Sequence, residues 1–339
     1  MRYDPHVPAT LSTLTLSAPL AALRELGIDA DEVARLANLP RQELADPHAR
    51  LPVDSMVRLW DAAVRVSGDP TIGLRVGQQM HTGALGSFEY LLRHSGTVKQ
   101  LLARAAQFIR LVDDSCLLEV IEAEGVATLR VARSDGHFLP QPELECFFAA
   151  CRSVQQKELP GIELLAVSFT ARCPTDVAAY TRHFGCSVRF EREHNQIEFP
   201  ASLLARAPRD ADPNLGRVLE EHGRHLLAQL PEGDPVVQSA RRKLLEQLAN
   251  GPPSLATVAR ALHMSERTLR RRLEAEGTSY QVLLDELRQS LAYQYVGRSR
   301  AGFEDIAARL GYADASTFFR AFKRWSGATP AQFRERGGG

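Results

Sequence analysis

The stretch D-I-A-A-R-L-G-Y-A-D-A-S-T-F-F-R-A-F-K-R-W-S-G-A-T-P-A-Q-F-R (residues 305–334) decides the reading of this chain, because its apolar spacing occurs twice. In it Ile306, Ala307, Leu310, Phe318, Phe322 and Gly327 stand 1, 3, 8, 4 and 5 residues apart. Upstream, Val258, Ala259, Leu262, Leu269, Leu273 and Gly277 stand 1, 3, 7, 4 and 4 apart. Self-similarity of this kind marks one supersecondary unit used twice. Each copy predicts a short helix, a tight turn and a second helix with an i, i+4 apolar pair, which is the helix-turn-helix pattern. Ala259 and Ala307 put small side chains where two helices approach closely. Ser254, Ser265 and Asp314 are N-caps by type. Gly311 permits a turn with positive φ, and Pro330 keeps the preceding helix from resuming.

A helix turns 100° per residue, so the outward side chains of each second helix follow from its core pair. With Leu269 and Leu273 inward, Arg267 and Arg271 point out and Arg270 lies on the flank. With Phe318 and Phe322 inward, Ser316, Arg320 and Lys323 point out, flanked by Thr317 and Arg324. The arginine fork matches guanine O6 and N7 in the major groove, and Ser and Thr suit phosphate or mixed contacts. A basic helix face is often merely solvated. Two matched helices in one repeat, both cationic outward, favour DNA. Tyr280 to Val296 reads as one long helix between the units. Its seventeen residues span about 26 Å, close to the roughly 34 Å of one DNA turn.

Charge agrees with this division. The 339 residues hold 41 Lys/Arg and 41 Asp/Glu, yet residues 235–339 hold 17 against 10 and the remainder 24 against 31. A basic end joined to an acidic remainder points to a nucleic-acid module fused to something else. The chain is 44% apolar and 24% charged, an ordinary globular balance. No run of 18 apolar residues is present, so no transmembrane helix is expected. The N-terminus lacks the pattern of a secretory signal. The five cysteines are scattered without a C-x-x-C pair, which argues against a disulfide framework or zinc site and fits the cytoplasm. No phosphate-binding loop, dinucleotide fingerprint, nucleophile elbow or H-E-x-x-H pair occurs. No catalytic residue, metal or cofactor is therefore expected. His222 and His225 form a close pair on a helix and read as surface positions.

Residues 1–18 read as a disordered Pro/Thr/Ser-rich tail. Residues 19–210 read as an α+β domain. Helices come first, then Cys116–Glu122 and Val126–Arg133 alternate as a hairpin. Leu164–Phe169 is a further strand, and Ser187–Phe190 with Gln196–Phe199 is expected as a second hairpin. Residues 211–235 read as a helix and linker. Its stripe Leu215, Leu219, His222, Leu226 and Leu230 packs within the domain or forms a dimer seam. Pro231 to Pro235 is the clearest linker.

The segments at 265–277 (S-E-R-T-L-R-R-R-L-E-A-E-G) and 305–334 resemble the AraC/XylS family of transcription regulators. The second follows the family pattern I-A…G-Y…S-x-F-x-R-x-F-K-x-x-x-G-x-T-P-x-x-[FY]-R almost throughout. The resemblance implies an AraC-type double helix-turn-helix DNA-binding domain at 236–335, all-α, with its two units joined by a long helix. It carries base reading to Arg267, Arg270, Arg271, Ser316, Thr317 and Arg320, and backbone contacts to Lys323 and Arg324. Phe318, Phe322, Gly327, Pro330 and Phe333 would be structural. S-G-D-P-T-I-G-L-R-V-G (67–77) and G-A-L-G-S-F-E-Y-L-L-R-H-S-G-T-V-K-Q-L-L (83–102) are similar, more weakly, to the arabinose-binding-like sensor domain of one subgroup. That name does not identify a sugar here.

The resemblance thus implies a regulator, expected as an activator, controlled by a small-molecule effector bound to residues 19–210. Its implied partners are double-stranded promoter DNA, RNA polymerase, the effector and a second copy of the chain. A rival reading has the N-terminal domain dimerise or bind a protein and take no small molecule. Arg110, Arg133 and Arg152 are candidate carboxylate anchors or plain surface charges, and Cys151 supports a weaker thiol-sensor reading. DNA-repair proteins with a similar module carry a reactive cysteine and a four-cysteine zinc cluster, and Cys146 and Cys151 have neither setting.

Overall fold

Ala127, Leu129 and Val131, which alternate with polar residues in the sequence, are buried along one side of the strand Val126–Arg133. That strand belongs to the first of two compact units. The computed structural model describes residues 9–133, 139–174, 176–209, 211–230, 235–248, 253–275, 278–298, 301–326 and 328–336. One unit holds residues 9–132 and 139–230, and the other holds those from 235 on.

The first unit opens with β1 (Thr10–Ser12), α1 (Leu14–Glu25), α2 (Ala30–Leu36), α3 (Arg41–Leu44) and β2 (Arg50–Pro52). Helices α4 (Asp54–Ser67), α5 (Ile72–Gln79), α6 (Ser87–Arg93) and α7 (Val98–Phe108) follow. Then come β3 (Cys116–Ala123), β4 (Val126–Arg133), α8 (Gln141–Glu158), β5 (Ala166–Ser168), α9 (Val177–Phe184), β6 (Ser187–Arg189), β7 (Asn195–Pro200) and α10 (Pro213–Gln229). The unit is α+β, with β1 and β2 paired and a five-stranded sheet in the order β3-β4-β7-β5-β6. Glu124 and Gly125 both have positive φ between β3 and β4, as a two-residue hairpin with matched twist requires.

Three expectations are corrected. The expected tail is built into the fold from Ala9 onward, while residues 1–8 lie outside the described residues. Leu11 and Leu16 are fully buried, and the Thr and Ser side chains that resemble a tail bond internally. Thr13 Oγ1 donates to Asp46 O at 2.6 Å and Thr10 Oγ1 to Asp114 Oδ2 at 2.6 Å. The expected second hairpin does not form. β6 lies parallel to β5, with α9 crossing between them, and β7 inserts between β4 and β5. Ile197 and Phe199 bring two buried rows to a central strand, whereas Ser187 and Arg189 are exposed, as befits an edge. Finally, α10 packs within this unit, as one of its two readings has it, but through another face than the expected stripe. Its buried line is Gly216 and Gly223, with Leu219 and Leu227 packed on Phe88, Leu91 and Phe108. A Cβ at Gly216 would meet His94 O at 2.1 Å. The stripe read from the sequence is thus rotated, and Leu215 and Val218 face outward.

The second unit is helical: α11 (Pro235–Leu248), α12 (Leu255–Ala261), α13 (Glu266–Ala275), α14 (Tyr280–Arg298), α15 (Phe303–Arg309), α16 (Ala315–Ser326) and α17 (Pro330–Arg336). It contains two separate cores. Leu244, Val258, Leu269, Leu273, Leu283 and Leu287 form one, and Ala292, Val296, Ile306, Leu310, Phe318 and Phe322 the other. Both lie along α14, whose 19 residues span about 28 Å. Gly277, Gly327 and the 231–234 part of the linker lie outside the described residues.

In the first unit, an approach as close as that at Gly216 joins α5 to α8, where a Cβ at Gly73 would meet Pro142 O at 2.1 Å and one at Gly77 would meet Cys146 O at 2.3 Å. This close crossing buries Glu145 of α8 completely. Tyr180 Oη donates to Glu145 Oε1, and Gln141 Nε2 donates to the same oxygen at 2.9 Å. Burial outweighs these bonds and pushes the Glu145 carboxyl up to about 7. Burial likewise raises the Cys151 thiol to about 12, which disfavours a reactive thiolate there near neutral pH.

Between pH 4.5 and about 7 the folded chain holds a proton on Glu145 that the unfolded chain has released. Stability should therefore fall as pH rises through that window and level off above it. The contribution is about 3 kcal/mol. Glu145→Gln should flatten this slope, which thermal midpoints of both proteins from pH 4.5 to 8 will check.

Candidate nucleic-acid interface

The two helix pairs of the second unit turn in the same way, bond for bond. After α12, Met264 N donates to Ala259 O at 2.9 Å, and after α15, Tyr312 N donates to Ala307 O at 2.9 Å. His263 N bonds Arg260 O, and Gly311 N bonds Ala308 O. The residue between sits in the left-handed region in both cases, His263 at φ 54 and Gly311 at φ 68. This is the Schellman type of helix end. Ala259 and Ala307, at the acceptor carbonyls, are buried.

Caps then start the second helices. Ser265 Oγ accepts from Thr268 N at 3.1 Å, and Asp314 Oδ1 accepts from Thr317 N at 2.8 Å. The amide of Thr317 holds the Asp314 carboxyl below its usual range. Leu269, Leu273, Phe318 and Phe322 all face the cores. The opposite faces are as the rotation predicts: Arg267, Arg270 and Arg271 are exposed on α13, and Ser316, Arg320, Lys323 and Arg324 are exposed on α16. Arg272 joins the exposed set on α13.

Two expected contact residues are already engaged. Thr317 is half-buried, and its hydroxyl donates to Asp314 Oδ2 at 2.9 Å and accepts from Arg320 Nη2 at 3.3 Å. It therefore serves the cap and leaves its hydroxyl mainly an acceptor. Arg324 lies 3.2 Å from Asp285 of α14 and above the Trp325 ring. That pair is exposed and so weak, and a phosphate can replace the carboxylate.

Sequence reading misses three features. Phe319 is 40% exposed on α16 and packs edge-on against Phe303 at 5.7 Å. The doubled Phe318-Phe319 is its only trace, since the core needs just the first ring. Arg288 of α14 donates to Leu310 O at 2.8 Å and Gly311 O at 2.7 Å and covers the Tyr312 ring. Arg334 donates to Val296 O at 3.0 Å and Ala301 O at 3.1 Å and lies over Phe303. These two arginines clamp the second turn and the end of α14, so part of the basic excess is structural.

Comparison with known proteins agrees with both units. Residues 27–208, more than half of the chain, match the sequence model of the arabinose-binding domain of AraC transcription regulators, and residues 258–336 match that of a helix-turn-helix domain. The ornithine utilization regulator of Pseudomonas aeruginosa is 29% identical over 328 residues, 94% of each chain. The HTH-type transcriptional regulator VirS of Mycobacterium tuberculosis is 29% identical over 93% of this chain and 94% of its own. The crystal structure of the transcriptional regulator CdpR from Pseudomonas aeruginosa is 25% identical, with 99% of each chain covered and a TM-score of 0.45.

His263 is exposed, so its backbone conformation is the main cost of its position. His263→Gly should stabilise the first helix pair by up to about 1 kcal/mol, and His263→Val should weaken it by about 1–2 kcal/mol. Hydrogen exchange of the α12 and α13 amides in the full chain will read both effects.

Proposed function

Because the chain belongs to the AraC family, as a DNA-binding transcription regulator, we propose that it reads promoter DNA with both helix-turn-helix units and takes its signal from a small effector. The observation that carries the DNA half is the pair of matching turns, each presenting an exposed cationic helix face. Base reading is assigned to Arg267, Arg270, Arg271, Ser316 and Arg320, with Thr317 accepting from its place in the cap. Lys323 and Arg324 are assigned to phosphates. DNA reading belongs to residues 236–335 and sensing to residues 19–210, to which α10 is welded.

The regulator is read as a cytoplasmic activator that meets RNA polymerase at the promoter and works as a dimer. The outward Leu215 and Val218 of α10, the latter 61% exposed, support a self-association surface. Effector binding biases the balance between DNA-competent and incompetent arrangements, to the extent that it favours one of them. A second reading, in which the first unit binds a protein or only pairs with another copy, draws on the same residues and on exposed Leu117 and Val120 of β3.

Selection from a random DNA pool by the full chain, with and without an extract of cell metabolites, tests both halves. Two fixed elements about one DNA turn apart are expected, with affinity or arrangement changed by the extract. Enrichment indifferent to the extract would favour the second reading, and no enrichment in either condition would defeat the proposal. On the selected site, Arg271→Ala should cost about 1–3 kcal/mol and relax sequence preference. Lys323→Ala should weaken all sequences alike and reduce the salt slope by about one. Equal losses for Arg271→Ala on selected and random DNA would remove its base-reading role.

A further inference from the structure

The outer face of the five-stranded sheet carries a polar concavity that the DNA-reading function does not use. Its floor is one transverse row across four strands. Arg130 of β4 pairs across to Gln196 of β7, Gln196 to Ser168 of β5, and Ser168 to Arg189 of β6. Adjacent strands lie about 4.8 Å apart, so the two arginines bracket a floor of roughly 14 Å.

The wall follows from the topology. Because β5 lies between β6 and β7, the connection 190–194 must step over the end of β5. It is stitched there: Glu191 N donates to Ala171 O at 2.8 Å, Arg192 N to Phe169 O at 3.0 Å, and Asn195 Oδ1 accepts from Thr170 N at 2.8 Å. The step raises Arg192, Glu193 and His194 beside the floor and borders an open concavity of about 300 Å³. Crevices of this kind form where neighbouring connections leave a sheet in different directions.

The lining selects the ligand. Every lining residue is polar or charged, whereas ordinary ligand pockets are mostly apolar. An apolar effector therefore gains nothing here. Arg130 Nε donates to Gln196 Oε1 at 3.0 Å, and Gln196 Nε2 donates to Glu198 Oε1 at 2.8 Å. Arg189 lies 3.8 Å from the same Glu198 oxygen. Arg192 is exposed and makes no side-chain hydrogen bond or ion pair among the described residues. The lining sets Arg130, Arg189 and Arg192 against Glu193 and Glu198, and Arg130 also lies 3.7 Å from Glu119 of β3, so Arg192 is the guanidinium left to fork a carboxylate on the ligand. Glu198, two residues along β7 from Gln196, offers the opposite pole to an ammonium group. Two of the three candidate anchors read from the sequence are engaged elsewhere. Arg152 is spent on Gln155 and Ile162 O, and Arg110 lies 3.7 Å from Asp114.

We propose that this concavity binds a small zwitterion of the α-amino-acid class, its carboxylate on Arg192 and its ammonium on Glu198. The inference rests on the effector reading above and gives it a place and a chemical class. The test is calorimetric titration of the full chain with each of the twenty standard L-amino acids, in a buffer free of carboxylates. Any amino acid that binds is followed by its deaminated acid, and both are repeated on Arg192→Gln and Glu198→Gln. At least one amino acid should bind. Arg192→Gln should weaken it tenfold or more, and Glu198→Gln should weaken the amino acid but spare the deaminated acid. Circular dichroism and thermal midpoints near wild type will show that both variants fold. Absence of binding by all twenty, or binding indifferent to Arg192→Gln, overturns the site. Equal affinity for the deaminated acid overturns the zwitterion assignment. DNA binding that responds to the metabolite extract equally in wild type and Arg192→Gln defeats this site while sparing the effector reading. A wild type that ignores the extract defeats that reading itself.

Discussion

In each helix pair of the second unit, one backbone amide reaches back five residues to a buried alanine, Met264 to Ala259 and Tyr312 to Ala307. That bond fixes the angle at which the second helix leaves the turn. The angle decides that Leu269, Leu273, Phe318 and Phe322 go inward, and hence that Arg267, Arg271, Ser316 and Arg320 go outward. A larger side chain at either alanine would force the helices apart and redirect every one of these groups. The DNA-reading face is in this sense a by-product of how two short helices are allowed to touch.

Charge is divided between two tasks. The net basic excess of residues 235–339 reads at first as an electrostatic footprint for nucleic acid. In the fold Arg288 and Arg334 cover carbonyls and rings, Arg241 pairs with Glu286, and Arg324 leans on Asp285. The exposed remainder is concentrated on α13 and α16, where it can meet phosphates and bases. A planar guanidinium suits both tasks, since it satisfies several acceptors at once and stacks on aromatic faces.

Much of this was legible because period and repetition report burial directly. The doubled apolar spacing gave both helix-turn-helix units, and the alternation at 126–133 gave β4. Composition was a poorer guide. Thr10 and Thr13 look like a tail, yet their hydroxyls find partners more than thirty residues away, which no local pattern records. The placement of β7 between β4 and β5 depends on long-range pairing, so neighbouring strands in sequence suggested a hairpin that the sheet does not contain. Thr317 was placed on the correct face, but its cap bond to Asp314 had to be seen in three dimensions. On α10 the leucines drew attention, while the two glycines that permit close approach carry no hydropathy signal.

The two cores along α14 have a thermodynamic meaning of their own. Among the described residues Leu291 is the one apolar side chain that borders both, and the other side-chain links between them are polar, from Arg288 to the second turn and from Asp285 to Arg324. Cooperativity between the halves therefore rests on the shared helix α14, Leu291 and a few polar links. Such an arrangement behaves as two foldons on a common rod, with nearest-neighbour coupling smaller than the stability of either. The half that ends the chain can open and reclose while the first stays folded, and a destabilising change in one core is largely confined to that core.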